Sequence, residues 1–216
     1  MRRAFKYRLW TNANQERELA TMLETHRRLY NTCLEQRKIA YETEQRTVKY
    51  AEQSKWYKEQ RAINPFFARL NFSSAQATMR RLHEAFEAFF RRLKTGEKPG
   101  YPRFKGQDRF NSFAFPSYYP RTDGVKLIGD RLRVQHVGLI RVKLHRPVEG
   151  KIKTVTILRE PGKWYAVFSC ELPDVPVADN SKPAVGVDVG LESFLTTNEA
   201  PPQTDKMYLK RLRSNQ

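Results

Sequence analysis

Cysteine and histidine are scarce in this chain of 216 residues, which holds two of the first and four of the second. Cys33 and Cys170 lie far apart and no Cys-x-x-Cys spacing occurs, so we expect neither a disulfide framework nor a zinc ribbon. The histidines show no ligand spacing, and His26 and His83 fall within helical patterns as ordinary helix residues. The sequence therefore excludes the common small metal-stabilised and disulfide-stabilised folds.

Long apolar runs and a signal peptide are also lacking. We therefore expect a soluble cytoplasmic protein with no membrane partner. The length suffices for one large or two small domains, each with its own hydrophobic core.

Acidic residues are few relative to basic ones. Lys and Arg number 40 against 23 Asp and Glu, which gives a net charge of +17 and a pI near 10.1. Residues 91–110 hold seven cationic and two acidic side chains, and residues 121–163 hold eleven and four, a combined surplus of twelve positive charges. Such clustering favours a nucleic-acid partner over a ribosome-like structural protein or a merely basic soluble protein.

The first hundred residues combine one strand with a set of helices. Residues 3–10 alternate between apolar and cationic side chains, which predicts a strand with a cationic outer face. A long helix is expected to about residue 43 and a second over 47–61, ended by Asn64-Pro65. The clearest helix starts at Ser73 as N-cap and stops at Gly96, with an apolar stripe at steps of three and four that is typical of core packing.

After residue 105 the apolar period changes to two. Candidate strands are 110–115, 124–128, 131–135, 139–144, 151–159 and 164–172, separated by Gly and Pro turn signals. Short strands at such spacing predict a small barrel or sandwich. Cationic residues alternate with apolar ones at Arg131, Arg133, Arg141, Lys143, Lys151 and Lys153. That cationic face would suit a nucleic-acid backbone, although plain solvation of an exposed sheet face gives the same pattern.

One carboxylate, Asp188, interrupts the apolar run 184–191, which predicts a strand buried on both faces. Gly190 permits a tight turn, and residues 193–197 are expected to return as a second strand. The pattern is typical of the first strand of ribonuclease-H-like nucleases and also of the first phosphate loop of actin-like ATPases. A buried Asp there needs a metal ion or backbone amides as partners.

In this order of elements, four blocks resemble the TnpB family, the transposon-encoded RNA-guided nucleases of OrfB type that are related to miniature type V CRISPR effectors. The blocks are Lys6-Tyr7-Arg8-Leu9 with Asn14-Gln15 and Tyr30-Asn31, then Leu82-x-x-Ala85-Phe86-x-x-Phe89-Phe90, Gly100-Tyr101-Pro102-Arg103-Phe104-Lys105, and Gly186-Val187-Asp188-Val189-Gly190. The resemblance covers residues 3–197.

The resemblance implies an α+β fold in which a helical bundle is inserted into an oligonucleotide-binding-like β-barrel, followed by the first strands of a RuvC/RNase H-like domain. The expected segments are a first barrel strand over 1–10, a helical recognition domain over 11–96, a β-barrel (wedge) domain over 97–172, a linker over 173–183 and an incomplete RuvC-like domain over 184–216.

The family further implies a prokaryotic, nucleoid-associated setting with two nucleic-acid partners. These are a guide RNA from the transposon end and a double-stranded DNA target that carries a short adjacent motif. Complete members are magnesium-dependent DNA endonucleases, in which Asp188 would be a catalytic residue and a Mg²⁺ ligand. Their site uses three carboxylates, of which only Asp188 occurs here, and the zinc site of the family is not present in this chain.

Alignment with the family suggests DNA contacts at Tyr57, Gln76, Ser112 and Phe113. Gln76 has an alternative role, because Ser73-x-x-Gln76 matches a helix capping box. Cationic side chains expected to bind RNA or other phosphates are Arg91, Arg92, Lys94, Lys98, Arg103, Lys105, Arg131, Arg133, Arg141 and Lys143.

The expected function is thus RNA-guided DNA binding, with endonuclease activity in the complete family member. The alternative is a truncated, catalytically inactive remnant or repressor that still binds RNA and DNA. A transposase that joins strands is disfavoured, because no second or third acidic residue in a suitable context is visible.

Overall fold

A computed structural model of the chain describes residues 1–116, 118, 124–174, 186–188 and 196–197. The chain divides into two compact units, Met1–Asp174 and Val175–Gln216. The first unit mixes helices with a single large sheet. Most of the expected linker and the tail 198–216 lie outside the described residues.

The sheet of the first unit has seven antiparallel strands. They are β1 Arg2–Trp10, β2 Ser112–Phe115, β3 Val125–Ile128, β4 Arg131–Val134, β5 Gly138–Val142, β6 Lys151–Glu160 and β7 Lys163–Glu171. Their order across the sheet is β2-β6-β7-β1-β5-β4-β3, so the first strand of the chain lies at the centre. All six strands predicted after residue 105 are confirmed, with bounds shifted by at most two residues.

The sheet curls into a nearly closed barrel. Tyr118, just after edge strand β2, donates its backbone N–H to the Lys153 carbonyl at 3.0 Å. Its hydroxyl oxygen accepts the N–H of Leu127 in the opposite edge strand β3, also at 3.0 Å. One tyrosine therefore bridges the two edges of the sheet, which reduces the number of unpaired edge groups.

Four helices and a 3-10 turn lie between β1 and β2 in the chain. They are α1 Ala13–Glu44, α2 Tyr50–Ile63, the short α3 Pro65–Ala68, α4 Phe72–Lys94 and the 3-10 turn Gln107–Arg109. A capping box between Asn12 and Gln15 starts α1. Asn64 ends α2 and caps α3, where Pro65 occupies the first helical position.

The helices share a hydrophobic core with the sheet. At its centre lies His26 of α1, which is fully buried. Its Nδ1 is 2.8 Å from the Thr78 hydroxyl and its Nε2 is 3.2 Å from the Ser74 hydroxyl, both on α4. The imidazole also stacks on Phe113 of β2, with ring centroids 4.9 Å apart. This histidine thus joins two helices and the barrel, and burial lowers its pKa to about 3.

The predicted start of α4 is wrong by two positions. Asn71 is the N-cap, and its side-chain oxygen accepts the Ser74 N–H at 3.3 Å and the Ser73 hydroxyl at 2.7 Å. Gln76 is then the fifth helical residue, too far into the helix to reach back to the cap amide. The Ser73–Gln76 capping box is therefore not formed.

The second unit is described through one hairpin. Strand β8 Val187–Asp188 pairs antiparallel with β9 Thr196–Thr197, with Asp188 opposite Thr196. The predicted second strand is confirmed at Thr196 and Thr197, which pair with Asp188 and Val187. The predicted burial is wrong for the described residues, since Val187 is 58% exposed and Asp188 is exposed.

Candidate nucleic-acid interface

The loop that carries Gly100-Tyr101-Pro102-Arg103-Phe104-Lys105 is held against α1 through its backbone. Asn31 accepts the Lys105 N–H at 2.8 Å and donates its amide to the Lys105 carbonyl at 3.0 Å. Arg27 donates to the same carbonyl at 2.8 Å. The main chain at the end of this loop is therefore fixed, which restrains the side chains around it.

Arg27 is itself positioned by Glu24, which accepts two of its N–H groups at 2.7 Å. These hydrogen bonds from Arg27, with one from Arg28, lower the pKa of the Glu24 carboxyl to about 2. The carboxylate is thus ionised at neutral pH and holds the guanidinium that reaches the loop.

Six predicted phosphate-binding side chains form what we call the junction patch. They are Arg91, Arg92 and Lys94 in the last turn of α4, with Lys98, Arg103 and Lys105 in the loop that follows. All except the half-buried Lys105 are exposed. None forms an ion pair with a described carboxylate. The three helical members also complement the negative end of the α4 dipole, so part of their role is structural.

A second cationic surface, the barrel face, covers the outer side of β3, β4 and β5. Across the strands, Arg131 lies directly opposite Arg141 and Lys126 directly opposite Arg133. Directly opposed like charges destabilise a sheet. Among the described ion pairs, a single one offsets this charge, because the Asp130 carboxylate lies 3.8 Å from Arg141. Lys143 follows β5 and is exposed as well. The arrangement suits a polyanion, which would remove the repulsion.

Trp10 belongs to the barrel face and was missed by sequence reasoning. It is 47% exposed, its strand partner is Arg141, and the Arg8 guanidinium lies 4.2 Å from its ring centroid. An exposed indole among cations has the chemistry to stack on a nucleobase. The signal was present in the sequence, because the alternation in residues 3–10 places Trp10 on the same side as Lys6 and Arg8.

Two of the four predicted DNA contacts, Tyr57 and Phe113, lie in the hydrophobic core. Tyr57 is fully buried, its hydroxyl donates to the Phe67 carbonyl at 3.1 Å, and burial raises its pKa to about 12. Phe113 is 3% exposed beneath His26. Contact with DNA would require opening the hydrophobic core.

The other two predicted contacts remain accessible. Gln76 is half-buried on α4, with its amide nitrogen 3.5 Å from the Ser54 hydroxyl, a weak contact at the limit of hydrogen bonding. Ser112 is half-buried at the start of β2, where its carbonyl accepts from Arg81 at 3.4 Å. Both side chains keep hydrogen-bonding capacity for a ligand.

Asp188 does not assemble a metal site with other described residues. No group of three His, Cys, Asp or Glu side chains that could hold an ion occurs in the part of the chain that the structure describes. A single carboxylate is too few ligands for a divalent cation in a nuclease site. Magnesium therefore does not fit the described residues.

No helix in the part of the chain that the structure describes is long and apolar enough to span a membrane.

Comparison with known families gives one match at the beginning of the chain. A helix-turn-helix domain of OrfB type, named for IS605 elements, matches residues 1–46. Here these residues form β1 and the single uninterrupted helix α1.

Two curated relatives match nearly the whole chain. A Streptomyces pristinaespiralis protein assigned as an RNA-guided DNA endonuclease is 29% identical over 221 residues, which cover 99% of this chain and 52% of that protein. Escherichia coli K12 InsQ, assigned in the same way, is 26% identical over 200 residues, or 91% of this chain and 47% of that protein. The chain thus spans about half the length of these relatives.

Solved structures show a more distant similarity. A chain of the Cas12f1–sgRNA–target DNA complex matches with a TM-score of 0.47 at 11% identity, over 99% of this chain and 59% of that one. A chain of a CRISPR-Cas12f ternary complex matches with a TM-score of 0.48 at 13% identity. The match covers 92% of this chain and 50% of that one.

Proposed function

We propose that the chain is a member of the TnpB family of OrfB type and forms the nucleic-acid-binding part of an RNA-guided DNA endonuclease, a proposal supported by its match to the OrfB-type helix-turn-helix domain and by its two curated relatives. Its partners are a guide RNA from the transposon end and a double-stranded DNA target with a short adjacent motif. Base pairing between guide and target carries most of the sequence specificity in such a system.

The observation that carries the proposal is the excess positive charge of the junction patch and the barrel face, in which Arg141 alone has a described ion-pair partner. Strands β3, β4 and β5 keep arginines and a lysine directly opposite one another at a cost in stability. Phosphate groups would neutralise these side chains and release counterions, which supplies affinity without reading sequence. Trp10 adds a stacking surface on the same face.

Reading of the adjacent motif falls to Gln76 and Ser112, the two predicted DNA contacts that remain accessible. A glutamine side-chain amide can pair with adenine through two hydrogen bonds in the major groove. Gln76 is the stronger candidate, because its amide has only one weak protein partner.

A substitution in the barrel face tests the binding proposal. The double variant Arg131→Gln/Arg141→Gln removes two opposed cations, so we expect RNA affinity to fall by about 10-fold at moderate salt. Arg69→Gln is the matched control, because Arg69 is already neutralised by Glu18 at 2.6 Å. Equal RNA affinity of the double variant and the control, measured by fluorescence anisotropy, would contradict the role of the barrel face.

A second candidate function is binding without cleavage, as in a repressor, and it is favoured by the isolation of Asp188 among the described carboxylates. In complete family members, the hairpin with Asp188 would begin a RuvC-like nuclease domain that binds Mg²⁺. We expect this 216-residue chain to bind guide-matched DNA in the presence of Mg²⁺ and to leave it intact. Cleavage of that DNA, abolished by Asp188→Ala, would show that the chain is a competent nuclease by itself.

A further inference from the structure

A cavity of about 420 Å³ lies in the helical part of the first unit, between α1, the loop that joins α1 to α2, and the C-terminal half of α4. Its volume is within the range of small-molecule sites. The residues that line it include Arg37, Phe86, Phe89, Phe90, Leu93 and Tyr101. Tyr101 comes from the Gly100–Lys105 loop that the family resemblance singled out, and no role above accounts for it.

The most buried polar residue of this cavity is Arg37, which is only 7% exposed. Its Nε donates to Gln53 at 2.9 Å, and its guanidinium lies 4.9 Å from the Phe86 ring centroid. Its Nη2 is buried and has no hydrogen-bond partner. Leaving a charged donor buried and unsatisfied is costly, so the Arg37 guanidinium would gain from an acceptor that enters this cavity.

Gln53 keeps the guanidinium in this position. It is 1% exposed, and its amide donates to the Cys33 carbonyl at 2.7 Å and to Gln36 at 3.1 Å. Arg37 therefore has little freedom to turn toward solvent. No described carboxylate forms an ion pair with it.

Aromatic rings form one side of the cavity, and the other lining residues include Arg46, Thr47, Val48, Lys49, His83 and Glu87. Tyr101 meets Phe86 edge-on at 5.6 Å and Phe89 at 5.3 Å between ring centroids. Phe90, Leu93 and Tyr101 are each between 44% and 57% exposed, so they surround the opening. A flat ring with a polar edge would be complementary to this site, with stacking at the mouth and an acceptor directed at Arg37.

We propose that this cavity binds one unpaired nucleobase of a nucleic-acid strand, stacked on Phe90 and Tyr101, with a base carbonyl accepting from the Arg37 guanidinium. The proposal rests on the nucleic-acid binding proposed above and names one site for it. The junction patch begins at Arg91, directly after Phe90, so the phosphates flanking such a base would lie beside unpaired cations. A second copy of the chain is disfavoured as occupant, because it would bring the same cations against the patch.

A short abasic oligonucleotide with a single central base tests the proposal, prepared as RNA and as DNA to identify the strand type. Guanine and uracil both present carbonyl acceptors, so we expect either to raise affinity about 10-fold over the fully abasic oligonucleotide in one of the two series. Arg37→Met and Phe90→Ala should each abolish most of this gain, while binding of the abasic backbone remains. Phe66→Ala, which removes an aromatic ring that is 61% exposed on α3, is the matched control and should keep the gain.

The outcomes separate this site from the general function. If the wild-type chain binds the abasic oligonucleotide and a central base does not increase its affinity, the cavity proposal is overturned and the proposed function is not affected. A full gain retained in both Arg37→Met and Phe90→Ala would overturn it as well. Concentration-dependent dimerisation lost in Phe90→Ala, with no gain from the base, would assign the cavity to a second copy. Absence of binding to every oligonucleotide at low salt would contradict the proposed function and the cavity together.

Discussion

At the scale of single residues, His26 shows how a polar group can organise the core. Its two nitrogens contact hydroxyls on α4 and its ring stacks on β2, so one side chain fixes three elements. The sequence placed it in a helix but gave no sign of its central position, because a histidine on an apolar helix face has the same pattern whether it is half-exposed or fully buried.

The burial of His26 predicts a pH dependence of stability. Its pKa in the folded state is about 3, below the ordinary value of 6.5, so the unfolded chain binds a proton first as the pH falls. The stability that depends on neutral His26 is complete above pH 6.5 and is lost progressively as the pH falls toward 3. We expect the free energy of unfolding to decrease by about 2 kcal/mol between about pH 7 and about pH 5.

Urea denaturation at several pH values measures this effect. His26→Gln should flatten the pH dependence while lowering stability at neutral pH, because the contacts with Ser74 and Thr78 change. His83→Gln is the control, since His83 is partly exposed on α4 and its described polar and ring contacts are Glu87 at 3.5 Å and the Tyr50 ring. An unchanged pH slope in His26→Gln would refute the assignment.

The predicted DNA contacts show a limit of sequence-based prediction for single residues. Tyr57 and Phe113 were assigned by alignment, yet both are buried. An aromatic residue that packs in the core and one that stacks on a base have the same chemistry, and only three-dimensional position separates them. For Trp10 the sequence pattern does predict an exposed position, because strand alternation places it among outward-facing cations.

At the scale of elements, periodicity predicted the strands well, because apolar side chains alternate along them with the period that a curled sheet requires. Helix termini were harder. Asn71, Ser73 and Ser74 are all acceptable caps, and the choice of Asn71 depends on its further hydrogen bond to Gln135 near the barrel at 3.1 Å. Such a long-range contact is not visible in local sequence.

The start of α4 gives a prediction that separates DNA recognition from helix capping. Gln76→Ala should leave the melting temperature nearly unchanged, because no capping box is formed, and should reduce discrimination of the adjacent motif by about 1–3 kcal/mol. Asn71→Ala is the matched control, since it removes the true cap and should cost about 1 kcal/mol of stability with motif preference intact. Thermal melts and binding to targets with correct and scrambled motifs report both quantities. A destabilised Gln76→Ala variant with unchanged motif preference would rule out the recognition role.

At the scale of the whole molecule, the net charge of +17 was readable at once, but its distribution was not. Residues 91–110 and 121–163 each carry a surplus, and in the first unit these become the junction patch and the barrel face. The strand register, which places arginine against arginine, comes from turn geometry and the apolar pattern of the inner face. Charge counts alone cannot supply it.

The central claim is that these two surfaces bind nucleic acid through phosphates, and the salt dependence of RNA affinity tests it most directly. With six to ten phosphates neutralised, affinity should fall by about 1,000-fold or more between about 50 and 200 mM salt. Titration of a labelled RNA at several salt concentrations gives the slope, and RNA should co-purify with the chain at low salt. A steep linear decrease of log affinity with log salt is the result we predict. Nearly equal affinity at low and high salt would contradict the account.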